Sequence, residues 1–303
     1  MFVRRTCGGL LASLALLTLV GCTGVGAEQS APPRSSTPTP STASVSHEDF
    51  RRLEHEFDAR LGVYAVDTAT GRELSYRADE RFAYASTHKA LAAGAVLRRT
   101  SLEGLDEPIT YDRADLVTYS PITKEHVDSG MSLRSVLDAA VRYSDNTAAN
   151  LMFDELGGPE GLSAALREIG DTTTHVDRIE PDLNATEPGD IRDTSTPRAL
   201  ATSLRAFTVG NALPKDERAL LNRMLRNSTT GDELIRAGAP DSWRVGDKSG
   251  AADYGTRNDI AVLWPPEGAP VVLAVLSDHP SRDAEYDNAL LARAAETALR
   301  EFR

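Results

Sequence analysis

Three short motifs could carry chemistry. Ser86-Thr87-His88-Lys89 places a hydroxyl and an amine three residues apart. On a helix that spacing puts both on one face. An ammonium beside a hydroxyl lowers its pKa, and a neutral amine can take its proton, so Ser86 is a candidate nucleophile. In the first turn of a helix Ser86 would also feel the positive end of the helix dipole. Ser144-Asp145-Asn146 is a second cluster of small polar groups. The same three residues also make good helix caps. Lys248-Ser249-Gly250 is a third, placed by its surroundings at the end of a strand, where Ser-Gly equally suits a turn.

These motifs need elements to hold them. Ser46 and Asp49 form a capping-box pattern, and Phe50, Leu53 and Phe57 follow at helical spacing, which predicts a helix over 47–60. Residues 61–67 alternate as a strand, Thr68 to Gly71 is a turn, and 72–76 can return as a second strand. Helical periodicity follows over 86–99, 132–142, 146–156, 159–169 and 197–207, bounded by Gly or Pro. Residues 178–196 have no apolar period and hold Pro181, Pro188 and Gly189; a loop this long in a compact domain is usually functional. Strands are expected over 243–248, 259–264 and 271–277, then a closing helix over 283–302. A lone hairpin is marginal in water. The expected fold is therefore α/β (α+β), with one five-stranded antiparallel sheet flanked by the terminal helices, and a helical lobe. The lobes are expected at about 47–78 with 228–303, and about 79–227.

Composition narrows the function. The chain has 303 residues, 33 Lys+Arg against 45 Asp+Glu, and a net charge of −12. That balance argues against a nucleic-acid partner, which needs an excess of cations. Only four of the basic residues are Lys. Both cysteines, Cys7 and Cys22, lie near the amino end, so the body can form no disulfide, Cys-ligated metal site or cysteine nucleophile. The histidines show no HExxH spacing, and no metal is expected.

Arg4 and Arg5 precede an apolar run of 13 residues, Gly8 to Val20, too short to span a bilayer and suited to export. Leu19-Val20-Gly21-Cys22 resembles the bacterial lipoprotein cleavage box, which implies cleavage after residue 21 and lipid on Cys22; ordinary cleavage near Ala27 is the alternative. Without residues 1–21 the charge is −14, from 31 basic and 45 acidic groups. Residues 28–46 hold four Pro, six Ser and three Thr, a composition that buries no core and reads as a tether. The expected divisions are a signal peptide (1–21), an anchor and linker (22–46) and a catalytic body (47–303).

Taken in order, Ser-x-x-Lys, Ser-Asp-Asn and Lys-Ser-Gly make the chain resemble the class A serine β-lactamases over residues 47–303. Longer stretches agree: YSPITKEHVDSGMSLRSVLDAAVRYSDNTAANLM at 119–152, and RVGDKSG followed by YGTRNDIAVLW at 244–264. Glu180-Pro181-Asp182-Leu183-Asn184 matches the Glu-x-x-Leu-Asn of that family and lies in the long loop. The resemblance implies an active site between sheet and helical lobe, a small-molecule β-lactam substrate, no cofactor, and a monomer anchored through Cys22 on the outer face of the membrane or in the periplasm, partly released. It implies attack by Ser86, with Lys89 or Glu180 and a water as base. Ser144 would relay a proton to the leaving nitrogen. The backbone N–H groups of Ser86 and Ala251 would hold the oxyanion. Asn146 would bind the substrate side-chain amide, and Lys248, Ser249 and Arg257 its carboxylate, beside Gly250. Glu180 and Asn184 would hold the deacylating water, and Tyr119 would line the cleft mouth. It also implies an Arg178–Asp193 pair across the loop neck and a cis Glu180–Pro181 bond.

Three residues depart from the family pattern. His88 stands where Phe is usual, and reads either as a group titrating near neutral pH or as a buried neutral ring. Ala252 stands where Gly is common, and Ile179 where several relatives have Trp. A D-alanyl-D-alanine carboxypeptidase or transpeptidase, which lacks the loop glutamate, is the alternative enzyme; an inactive β-lactam-binding lipoprotein is the alternative outside catalysis.

Overall fold

The computed structural model describes residues 46–303. Signal, anchor and most of the linker, with Cys22, lie outside the described residues. The elements run α1 (His47–Phe57), β1 (Arg60–Asp67), β2 (Glu73–Tyr76), β3 (Phe82–Ala83), α2 (His88–Arg99), β4 (Pro108–Ile109), β5 (Met131–Ser132), α3 (Leu133–Tyr143), α4 (Asn146–Leu156) and α5 (Gly158–Glu168). Then come β6 (Thr194–Ser195), α6 (Pro197–Thr208), α7 (Lys215–Arg226), α8 (Ile235–Gly238), β7 (Arg244–Ala252), β8 (Thr256–Trp264), β9 (Val271–Asp278) and α9 (Asn288–Leu299).

The early hairpin and the three late strands form one five-stranded antiparallel sheet, as expected, and its order is β2-β1-β9-β8-β7. Alternation splits its side chains between two cores. Leu61, Val63, Ala65, Ala261, Leu273 and Val275 pack with Phe50 and Leu53 of α1 and Leu291, Ala294 and Ala298 of α9. Tyr64, Val66, Ile260, Val262, Val272 and Ala274 face the remaining helices. The centre of those helices is α2, buried on every side from His88 to Leu97 and packed against α3, α4, α5, α6 and α7. Its run of Ala residues lets neighbours approach from all directions, and a helix apolar all round belongs in a core.

Several boundaries differ from the sequence reading, each for a local reason. α1 stops at Phe57 because Asp58 turns left-handed, φ 48°. Ser86 lies in a single 3-10 turn, Ala85–Thr87, that runs into α2 rather than in the helix itself. Lys248-Ser249-Gly250 is not at a strand end. The β7–β8 ladder continues to Ala252–Thr256, and the hairpin closes at Asp253 to Gly255, where Tyr254 and Gly255 have positive φ. The closing helix starts at Asn288, capped by the Asp287 side chain; residues 283–287 are irregular. α7 and the two-residue ladders β3–β6 and β4–β5 were not anticipated.

Candidate active site

Ser86 and Lys89 meet where the 3-10 turn enters α2. Lys89 Nζ donates to Ser86 Oγ at 2.8 Å, to the Ser144 carbonyl at 2.9 Å and to Asn146 Oδ1 at 2.5 Å. It lies 3.0 Å from Glu180 Oε1, with both side chains fully buried. Glu180 Oε1 also accepts from Ser86 Oγ at 3.4 Å, and its Oε2 accepts from Asn184 Nδ2 at 2.6 Å. Burial, the largest single influence, would raise the Glu180 carboxyl, but Lys89, His88 and the Asn184 amide together outweigh it and hold the carboxyl below its usual range. Burial lowers Lys89 from the ordinary lysine value, and Glu180 resists that fall.

The Ser144-Asp145-Asn146 motif joins two helices and does both jobs its composition allowed. Ser144 ends α3 in the left-handed region, φ 58°, and Asp145 caps α4 by accepting from Ala148 N. The other Asp145 oxygen accepts from Ile122 N and Thr123 N at 2.9 Å, tying the junction to the preceding loop. Ser144 Oγ accepts from Lys248 Nζ at 3.0 Å and from Lys89 Nζ at 3.4 Å. Asn146 Nδ2 donates to the Thr118 carbonyl, and Asn146 N to that of Tyr119. Tyr119 itself has positive φ, 63°, and its ring is exposed.

β7 forms the opposite wall. It is the edge strand beside the Ser86 turn. A methyl on Gly250 would lie 3.0 Å from the Tyr84 carbonyl and 3.1 Å from Ser86 N, so glycine is what lets strand and nucleophile approach. Ala251 follows on the same edge. Lys248 is fully buried and donates to Ser144 Oγ and, at 2.8 Å, to the Ser249 carbonyl. Burial first, and then the Lys89 charge, lower it to about 7; Asp259, Asp247 and Glu180 pull the other way. Ser249 Oγ donates to Thr230 Oγ1 at 2.7 Å. The neighbouring Gly231 must be glycine, because a methyl there would sit 1.7 Å from Asp247 Oδ2. Arg257, across from Ala251 on β8, donates through Nε to Asn288 Oδ1 at 2.8 Å.

The loop that carries Glu180 is pinned at several points. Arg178 Nε pairs with Asp193 Oδ2 at 2.5 Å. Asp193 is fully buried and also accepts from Tyr84 OH and from the N–H groups of Asp177 and Arg178. It is therefore an internal tie and not a surface ion pair. The Glu180–Pro181 bond is cis. Asn150, one turn after Asn146 on α4, clamps Glu180 on both sides: Glu180 N donates to Asn150 Oδ1 at 2.9 Å, and Asn150 Nδ2 to the Glu180 carbonyl at 2.8 Å. Asn184 Oδ1 is buried without a protein partner. Ile179 projects outward, and Ala252 is half-buried. His88 is buried, stacked on Phe153 at 5.4 Å, and lowered to about 4, first by burial. It is the neutral ring of the two readings.

Direct hydrogen bonds thus link Ser86, Lys89, Ser144, Asn146, Glu180, Asn184 and Lys248. Ser249, Gly250, Ala251, Arg257 and Tyr119 border them, and Cys22 lies outside the described residues. Asn150, Thr230, Tyr84 and Asn288 were not singled out from sequence. Only Asn150 left a trace there, its four-residue spacing from Asn146. Among the described residues no group of three or more His, Cys, Asp or Glu could hold a metal ion.

Comparison with known proteins agrees over the whole body. Residues 46–302 match the model of the β-lactamase enzyme family. A β-lactamase of Bacillus amyloliquefaciens is 53% identical over 295 residues, 97% of this chain and 96% of that protein. One from Amycolatopsis lactamdurans is 56% identical over 261 residues, 86% of each. The crystal structure of a class A β-lactamase from Clostridium kluyveri, 51% identical, superposes with a TM-score of 0.84, covering 84% of this chain and 98% of that one. With that identity across nearly its full length and that shared fold, the chain belongs to the class A serine β-lactamases.

Proposed function

We propose a division of labour among these residues for a chain that hydrolyses the β-lactam amide bond of penicillin- and cephalosporin-type antibiotics and so confers antibiotic resistance. Ser86 Oγ attacks the lactam carbonyl. Its proton passes through a bridging water to Glu180. Lys89 is charged in this step. The Ser144 carbonyl, Asn146 Oδ1 and Glu180 around it can only accept, which favours the ammonium over the neutral amine. The backbone N–H groups of Ser86 and Ala251 receive the oxyanion, a contribution of about 3 kcal/mol in comparable sites.

When the ring C–N bond breaks, Ser144 donates its proton to the nitrogen and takes one from Lys89, 3.4 Å away, which recovers it from Glu180 at 3.0 Å, so Glu180 is ionised again before deacylation. The Ser144 oxygen already accepts from two ammonium groups, so the hydrogen is free to point outward. Asn146 meets the substrate side-chain amide. Lys248, Ser249 and Arg257 take the carboxylate. Glu180, with the Asn184 amide, then removes a proton from a water that attacks the ester carbonyl, and Ser86 leaves with a proton restored. The observation that carries this reading is the ion pair: a carboxylate held ionised 3.4 Å from Ser86 Oγ by a buried lysine, inside a pocket from which both are closed to bulk water.

We read residues 47–78 with 228–303 and residues 79–227 as two lobes that form the cleft. Residues 1–21 act as an export signal, and Cys22 carries the lipid that tethers a monomeric enzyme outside the cell membrane. Turnover of a chromogenic cephalosporin tests the chemistry. Ser86→Ala abolishes it, and Glu180→Ala leaves a long-lived acyl-enzyme. Hydrolysis that survives Ser86→Ala overturns the reading. Stoichiometric acylation of the unaltered enzyme without turnover indicates a peptidase instead. Cys22→Ser releases the enzyme from membranes if the tether is lipid.

A further inference from the structure

Arg257 differs from most aromatic-stacked arginines of the molecule. Arg60 lies over Phe82 but is neutralised by Asp278 and Glu80, and Arg198 over Tyr64 by Asp79 and Glu73. Arg257 lies over the ring of Tyr286, 4.7 Å from its centroid, and among the described residues no carboxylate pairs with it. Among the described residues its guanidinium donates to the Asn288 amide and, at a long 3.5 Å, to the Gly250 carbonyl. Tyr286 is 45% exposed, an unusual position for a large ring with no packing role in either core.

The segment that carries Tyr286 is anchored to the β7–β8 hairpin. Tyr254 N donates to the Arg282 carbonyl, His279 N to the Tyr254 carbonyl, and Arg282 pairs with Asp253 at 3.0 Å. Asp287 then caps α9 and fixes where the segment ends. Asn288 Nδ2 donates to Glu233 at 2.6 Å, which turns the amide oxygen toward Arg257. The guanidinium is held on three sides: a ring face, an amide oxygen and the edge strand. One edge of its donor fork is left for an anion.

We propose that Tyr286 is a positioning residue for the carboxylate end of the substrate, acting through Arg257. A guanidinium lying on an aromatic face keeps its charge and loses rotational freedom before the substrate arrives. Less freedom is then lost on binding, and affinity rises without any change in the chemical step. The inference rests on Arg257 as the carboxylate anchor, and the experiment separates the two.

Steady-state kinetics on benzylpenicillin are compared for the parent, Tyr286→Ala, Tyr286→Phe, Arg257→Ala and the Tyr286→Ala/Arg257→Ala double variant, with circular dichroism to verify folding. Tyr286→Ala raises KM by about two- to fivefold at nearly constant kcat, the size of an exposed cation–π contact. Tyr286→Phe, which keeps the ring, restores KM. In the Arg257→Ala background the Tyr286 substitution has no further effect. If Arg257→Ala leaves KM unchanged, the anchor assignment fails. If Arg257→Ala raises KM while Tyr286→Ala does not, or if Tyr286→Ala acts equally in both backgrounds, the inference fails and the anchor stands.

Discussion

The two ends of the cleft treat positive charge in opposite ways. Lys89 is buried, paired with Glu180 and ringed by hydrogen-bond acceptors. Arg257 is part-buried, stacked on a ring and paired with no carboxylate among the described residues. Lys248 combines the two: it is buried like the first and, among the described residues, hydrogen-bonds to a hydroxyl and a carbonyl and to no carboxylate. The contrast separates two tasks. A charge that organises proton transfer must have its fields fixed in advance, in a dry site where they act strongly. A charge that captures an anionic ligand must remain uncompensated until the ligand brings the counter-charge. In an acidic chain with four lysines, placing two of them here shows how local the electrostatic design is.

The largest effect is expected at the closed end. Lys89→Met removes the counter-ion of Glu180 and should lower kcat by about 10²–10⁴ with little change in KM. Without Lys89, burial governs Glu180 and its pKa rises, so the acid limb of the residual rate moves to higher pH. Arg257→Ala tests the open end. Loss of a charge-assisted contact should raise KM about 10- to 100-fold and leave kcat nearly intact. If both variants changed kcat and KM alike, the two-ended description would be wrong.

Lys248 sharpens the comparison through pH. Its ammonium is present below about 7 and neutral above it. KM for a carboxylate substrate should therefore climb as pH rises through 7, and Lys248→Arg, which stays charged, should move that limb to higher pH. The same shift has a stability counterpart. Between about 7 and the ordinary lysine value the unfolded chain binds the extra proton, so Lys248 makes stability rise with pH across that window. A smaller expected change is mechanical. Arg178→Ala leaves Asp193 fully buried with only its Tyr84 and backbone donors, a loss of about 3 kcal/mol that should lower Tm by roughly 5–10 °C. Arg192→Ala, at an exposed pair in the same loop, should scarcely move it.

How much of this was legible in the sequence depends on range. α4 was bounded correctly, because Asp145 before it and Gly157 after it are local cap signals. A single five-stranded sheet followed from a hairpin and three strands that had to pair, while its order came only with the structure. The motif residues were legible because their types and order are rare. What stayed hidden comes from contacts between distant segments. Nothing near Asn150 says that Glu180 will lie against it, 30 residues later. Thr230 meets Ser249, and Tyr286 meets Arg257, only once the sheet is built. Likewise, Ser-Gly reads as a turn until the β8 ladder shows that the strand runs on to Ala252.

Glu180 is, on this mechanism, indispensable for the water and replaceable for the serine. Removing its carboxylate takes away what holds Lys89 up, so burial lowers Lys89 further and lets it accept the Ser86 proton in its place. Among the described residues no other carboxylate hydrogen-bonds to Asn184, beside which the water is placed. Time-resolved intact-protein mass spectrometry of Glu180→Ala mixed with benzylpenicillin tests this directly. One penicillin is expected to add per enzyme, mapped to Ser86, with acylation slowed and deacylation slowed far more. Rapid return to free enzyme, or no adduct at all, would contradict this mechanism.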